Sequence, residues 1–154
     1  MREILFRGKL TERFAKAAEM RPDLVAKGII KDGFVCGSLA VDCGKCHICT
    51  SVYAWNGCYV SNSDATMFEV EPNTVGQFTG LIDKNGKKIF EGDIVKSSRF
   101  NKIEEVRYTN KRKRIMFCGI NYIVDLEYIN EIYYEVIGNI YDNPELLEDG
   151  EEDD

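Results

Sequence analysis

TVGQFTGLIDKNGKKIFEGDIV, residues 74–95, is the stretch that decides the fold. Within it, Asn85-Gly86 separates two strand-like runs, 81–84 and 87–90. Asn-Gly favours a two-residue hairpin turn, because both central residues of such a turn must accept a positive φ angle. A further apolar run, 94–96, follows directly after a Gly-Asp pair. The stretch therefore predicts a β-hairpin and a third strand.

The polar residues of this stretch indicate a structural role more than a catalytic or binding role. Asp83 and Asp93 lie where carboxylates commonly bond to backbone amides in turns. The four glycines lie where turns need a small residue. Gln77 and Thr79 have no evident structural role, so a binding surface built on the stretch is the alternative interpretation.

The rest of the chain is also rich in short strand-like runs. Thr11 is placed to cap a helix over residues 12–20, and Pro22 should end or bend that helix. Asn56-Gly57 lies between two more apolar runs and predicts another hairpin. Further strand-like runs are 34–41, 106–108, 115–117, 121–126 and 133–140. This pattern predicts a small barrel or sandwich with one helix near the start.

Charge is distributed unevenly along the 154 residues, whose net charge is −6. Seven acidic residues and no basic residue lie in 145–154, so residues 1–144 carry a net charge of about +1. This segment predicts a disordered acidic tail, with an interaction tail for a basic partner as the alternative. The sequence shows no signal-peptide pattern and no run of the ~18 apolar residues that span a membrane, so we expect a cytoplasmic protein.

Three cysteines and the only histidine lie close together in CGKCHICT, residues 43–50. The favoured interpretation is a turn followed by a strand, in which cysteine acts as a small hydrophobic residue. Zinc is the alternative, although no second Cys-x2-Cys pair follows to complete a four-ligand site. The pattern also matches covalent haem attachment and a redox thiol pair, which the missing export signal and the strand-like surroundings disfavour. The candidate zinc ligands are Cys43, Cys46, His47 and Cys49, with Cys36 or Cys58 to complete the set.

The only basic run is Lys111-Arg112-Lys113-Arg114. At a hairpin tip these four residues could bind a nucleic-acid backbone, and a solvated turn is the alternative. For catalysis the sequence offers no phosphate loop, no nucleophile elbow and no paired metal-binding histidines. We therefore predict a protein that is not an enzyme and has no catalytic residues.

Three segments of the chain resemble one known family. They are the block 74–95, the opening Arg2–Lys9 and the closing Glu135–Leu147. Together they resemble the YopX family of small proteins encoded by bacteriophages and prophages. Two features depart from the family pattern: a predicted helical insertion over residues 10–32, and the Cys43–Cys49 cluster.

The resemblance implies an α+β, predominantly β fold with an SH3-like barrel in the C-terminal half. It divides the chain into an N-terminal region, 1–72, a barrel region, 73–144, and the acidic tail, 145–154. It implies that the protein is located in the bacterial cytoplasm, but it implies no catalysed reaction. We therefore expect a non-enzymatic accessory protein without a cofactor or membrane partner, acting by binding a host or phage protein. Nucleic-acid binding through 111–114, a zinc-stabilised module and self-association are the alternatives.

Overall fold

The computed structural model describes residues 4–50, 67–109, 114–118, 123–125 and 133–148. The chain forms two units that divide between Gln77 and Phe78, whereas the sequence prediction placed a boundary after residue 72. Both units are built from antiparallel strands, with two short helices in the first. The predicted α+β, predominantly β class is therefore confirmed. The described strands do not close into a barrel, so the SH3-like barrel stays a prediction.

The N-terminal unit is a curled sheet covered by two helices. Its strands pair in the order β5-β4-β3-β1, β2 pairs with β3, and the start of β6 pairs with β1. The bounds of its elements are β1 Phe6–Lys9, α1 Glu12–Glu19, α2 Pro22–Ala26, β2 Ile30–Lys31, β3 Phe34–Asp42, β4 Lys45–Cys49, β5 Met67–Val70 and β6 Gly76–Ile82. A single bridge between Leu10 and Val70 brings the end of β1 back to β5.

The helices form where the sequence predicts them. Thr11 precedes α1 in an extended conformation, although its side chain makes no capping hydrogen bond. Pro22 is the first residue of α2, so it separates two helices as predicted. Apolar residues of both helices and of the sheet make up the core of this unit: Leu10, Ala18, Leu24, Ile30, Val35, Ile48, Phe68 and Val70.

The first strand, β1, passes close to Val70 of β5 at Gly8. A Cβ atom at Gly8 would lie 2.8 Å from the Cβ of Val70, so the strand passes its neighbour at a distance that only glycine allows. Local hydrophobicity contains no signal for such a close approach.

The C-terminal unit contains the rest of β6 and six further strands. The bounds of these strands are β7 Lys88–Phe90, β8 Asp93–Ser97, β9 Lys102–Thr109, β10 Arg114–Cys118, β11 Ile123–Asp125 and β12 Tyr134–Asn139. The last five pair in the order β11-β10-β9-β8-β12, and β6 pairs with β7. The buried core consists of Ile89, Val95, Val106, Phe117 and Tyr134. The segment predicted as an acidic tail begins within a 3₁₀ turn, Pro144–Leu147.

Two of the three predicted hairpins are confirmed. β6 and β7 pair across Asn85-Gly86, but their connection is the five residues 83–87 instead of the predicted two, and only Gly86 of the Asn-Gly pair has a positive φ angle, 82°. β9 and β10 pair around residues 110–113, and β9 is longer than the predicted run 106–108. The hairpin predicted around Asn56-Gly57 lies outside the described residues.

Candidate functional site

Asp83, at the centre of the 74–95 block, is a buried anchor for backbone amides. One carboxylate oxygen accepts hydrogen bonds from the N–H groups of Asn85 and Lys87, both at 2.9 Å. The other oxygen accepts a bond of 3.0 Å from the N–H of Val136 on β12. The side chain therefore shapes the hairpin turn and also ties it to a strand 53 residues away.

The electrostatics of Asp83 agree with this structural role. Burial raises the pKa of the carboxyl group, but the three N–H donors and nearby Lys87 outweigh it and leave the pKa below its usual value. A carboxylate that is held ionised and fully engaged by backbone donors is a poor general base. Asp83 is therefore a structural residue.

The side chains of Thr79 and Asp93 also form hydrogen bonds with backbone groups. The Thr79 hydroxyl donates to the carbonyl of Ile89 at 2.8 Å and accepts from the N–H of Leu81 at 3.1 Å. The bond to Ile89 joins β6 to β7 where the pairing of these two strands shifts register. Asp93 is 1% exposed and accepts the N–H of Phe90 at 2.8 Å. Sequence reasoning missed the role of Thr79, because the irregular ladder that it bridges has no local pattern.

The cysteine cluster lies on a turn and a strand, as the favoured interpretation predicts. β3 and β4 form a hairpin whose last pair is Asp42 with Lys45. Cys43 and Gly44 make the two-residue turn, with φ angles of 47° and 79°. Cys43 is exposed at this turn.

The other members of the cluster are distributed over both faces of β4. Ile48 is fully buried in the core, and Cys46 packs against the same core. Because side chains alternate along a strand, His47 and Cys49 point to the opposite face. Within the described residues, no group of three or more His, Cys, Asp or Glu side chains could hold a metal ion.

One thiol of the cluster is affected by its surroundings. Burial raises the pKa of the Cys49 thiol. Cys36 lies on β3 opposite Arg7. Cys58 lies outside the described residues, so zinc binding stays an untested alternative.

The predicted nucleic-acid residues lie mostly outside the described part of the chain. Residues 111–113 are not described, and only the backbone of Arg114 is. Arg114 pairs with Thr109, so residues 110–113 connect two antiparallel strands. Arg114 is the first residue of β10, and the other three basic residues lie outside the described residues, so the nucleic-acid site stays a prediction.

One buried polar cluster has no signal in the sequence. Glu104 is 1% exposed on β9, and its carboxylate hydrogen-bonds to the hydroxyl of Tyr134. Ser97, also 1% exposed, bonds to the same hydroxyl. Burial and the neighbouring Glu104 raise the pKa of Tyr134 to about 12. The alternation of the sequence KIEEVRYT, residues 102–109, does not distinguish Glu104 from an exposed acid.

The sequence pattern of the YopX protein family matches residues 41–148. The chain belongs to the YopX family. The match includes the 74–95 block and the Cys43–Cys49 cluster, whereas α1 and α2 precede it. No helix in the described residues is long and apolar enough to cross a membrane.

One solved structure similar to this YopX chain is protein EF1440 from Enterococcus faecalis. The two sequences are 30% identical, and the similarity covers 58% of this chain and 72% of the other. The TM-score of the superposition is 0.40. None of the curated proteins matches the chain.

Proposed function

We propose that this YopX protein is a non-enzymatic accessory protein of phage or prophage origin that binds a protein partner in the bacterial cytoplasm. One observation carries the proposal. The buried polar side chains of the family block, Thr79, Asp83 and Asp93, bond to the backbone. The buried polar residues of this block thus serve the fold, which leaves the surface for recognition.

An SH3-like arrangement of the C-terminal strands is part of this proposal. Five strands in the order β11-β10-β9-β8-β12 supply most of such a barrel. The turn at Asp83 supports the arrangement, because it hydrogen-bonds to the edge of β12 that faces away from β8. Asp83 accepts a hydrogen bond from the N–H of Val136, and the N–H of Lys84 donates to the carbonyl of Tyr134. An edge covered in this way cannot pair with another chain, so recognition would use side chains.

In-cell photo-crosslinking tests the proposal. A photoreactive amino acid would replace Met20 or Tyr108, whose side chains are 82% and 45% exposed. Lys87, an exposed polar position on the Asp83 turn, serves as the control. We expect one bacterial or phage protein to cross-link from at least one of the two positions and to rebind the purified chain. Absence of a cross-linked protein from both positions, in cells with and without prophage induction, would refute the proposal.

A second candidate function is nucleic-acid binding through residues 111–114. The pairing of Arg114 with Thr109 favours it, because residues 110–113 then connect two antiparallel strands. Serine at all four positions should then weaken oligonucleotide binding and flatten its salt dependence. Unchanged affinity and salt dependence would eliminate this site.

A further inference from the structure

The connection between β8 and β9 is a second basic hairpin tip, at the opposite end of β9 from residues 110–113. It is anchored at three points. The N–H and the hydroxyl of Ser98 donate to the carbonyl of Tyr133, at 2.7 and 3.1 Å. The N–H of Phe100 donates to the hydroxyl of Ser97 at 3.4 Å. The tip is therefore held in one conformation by the strands beside it.

The tip presents a cation stacked against aromatic rings. The guanidinium carbon of Arg99 lies 5.2 Å from the ring centre of Phe100 and 5.6 Å from that of Tyr133. Both distances are within the range of cation–π attraction. Phe100 is nevertheless 60% exposed, so much of its ring surface faces solvent. The exposed part of the ring is therefore available for contact with a flat ligand, beside a guanidinium that the two rings orient.

The connection itself is basic. Residues 94–103 contain three exposed basic residues and no acidic residue: Lys96, Arg99 and Lys102. Ser97 pairs with Lys102, so Lys96 and Lys102 extend from opposite faces of the sheet, and Glu135 on β12 lies opposite Lys96. In the described part of the chain, no carboxylate lies within ion-pair distance of Arg99. The ligand should therefore supply negative charge as well as a flat apolar surface.

We propose that this tip, centred on Arg99 and Phe100, binds single-stranded nucleic acid. Arg99 and Lys96 would contact phosphates, and an unpaired base would stack on the exposed ring of Phe100. A single strand fits better than a duplex, because paired bases do not offer their faces to a protein side chain. An acidic peptide would satisfy the cations but supplies no flat surface for the ring. This site differs from residues 111–114 and goes beyond the proposed protein binding.

The test is fluorescence anisotropy with the full chain and a labelled twelve-residue oligothymidylate. Contacts to two phosphates predict that log K falls with log salt with a slope of about −1.4 between 50 and 200 mM salt. Phe100→Ala and Phe100→Leu should both weaken binding about tenfold, whereas Phe100→Trp should restore it, because stacking needs a ring. Arg99→Gln should reduce the steepness of the slope by about 0.7.

Two control variants match these changes elsewhere on the chain. Tyr108→Ala removes an exposed aromatic ring at the other end of β9, and Lys16→Gln removes an exposed charge on α1. Both should change affinity less than twofold. Circular dichroism would confirm that each variant is folded.

Five results would overturn the proposal. The first four are no binding at 1 mM protein, equal binding by wild type and Phe100→Ala, equal affinity for the corresponding twelve-base-pair duplex, and equal affinity for a dodecamer of glutamate. The last would identify an acidic-peptide site. Loss of binding in the serine variant of 111–114, with Arg99→Gln unchanged, would assign the nucleic acid to the other hairpin and also overturn the proposal.

Discussion

Replacement of Asp83 by asparagine should destabilise the C-terminal unit strongly, although the two side chains have nearly the same size. Asp83 is 5% exposed and accepts three backbone hydrogen bonds. In the asparagine variant, one oxygen can still accept the two bonds from the turn. The other oxygen becomes an NH2 group, which places a donor against the N–H of Val136.

The magnitude follows from these three bonds. A hydrogen bond to a charged group contributes about 1.5–3 kcal/mol and a neutral one about 1 kcal/mol, so loss of the charge weakens two bonds and loss of the acceptor removes the third. We expect the free energy of unfolding to fall by about 3 kcal/mol near pH 7, allowing for local relaxation. Urea unfolding followed by circular dichroism would measure this loss. Glu145→Gln, an exposed acid-to-amide change in the same unit, should cost less than about 0.5 kcal/mol.

The pH dependence gives an independent check. Because the folded-state pKa of Asp83 lies below its usual value of 3.8, the ionised carboxylate contributes stability that is fully present above that value. This contribution is lost as the pH falls through the lowered folded-state pKa. The stability difference between wild type and Asp83→Asn should therefore shrink in acid. A loss below about 0.5 kcal/mol near pH 7, or a difference unchanged down to pH 2, would refute the reasoning.

Three further predictions concern other parts of the chain. Gly37→Ala should cost at least about 3 kcal/mol in urea unfolding, because its Cβ would lie 2.1 Å from the carbonyl oxygen of Cys49; a loss under about 1 kcal/mol would contradict the packing of β3 on β4. Of the five described cysteines, Cys43 should react fastest with a thiol reagent and Cys118 only after denaturation, since they are exposed and buried respectively; Cys43→Ser should remove one fast-reacting thiol. Tyr134 should ionise only near pH 12, so Tyr134→Phe should remove the last phase of a spectrophotometric titration and leave the earlier phases unchanged.

Two of the described hairpins, β3–β4 and β6–β7, show how far turn chemistry predicts this fold. Their turns contain Gly44 and Gly86 at positive φ angles, which few residue types other than glycine accept. Strand alternation likewise separates Cys46 from His47 before any tertiary contact is known. The bounds of α1 and α2 follow from Thr11 and Pro22 in the same local way.

The candidate sites depended more on contacts between distant residues. The Arg99 cluster includes Tyr133, which joins the β8–β9 tip only because β12 pairs with β8. The basic run 111–114 attracts attention in the sequence because its charges are consecutive, whereas Lys96, Arg99 and Lys102 are separated by other residues. A scan for charge runs therefore finds the first hairpin and misses the second.

The sequence by itself determined the β-rich class, the turns and the helix boundaries, because these depend on neighbouring residues. Only the tertiary structure decided that Asp83 binds Val136, that Gly8 passes close to Val70, and that Glu104 is buried. Each of these depends on residues far apart in the chain. Such contacts form when sheets pack and exclude water, so no local pattern of hydrophobic and polar residues specifies them.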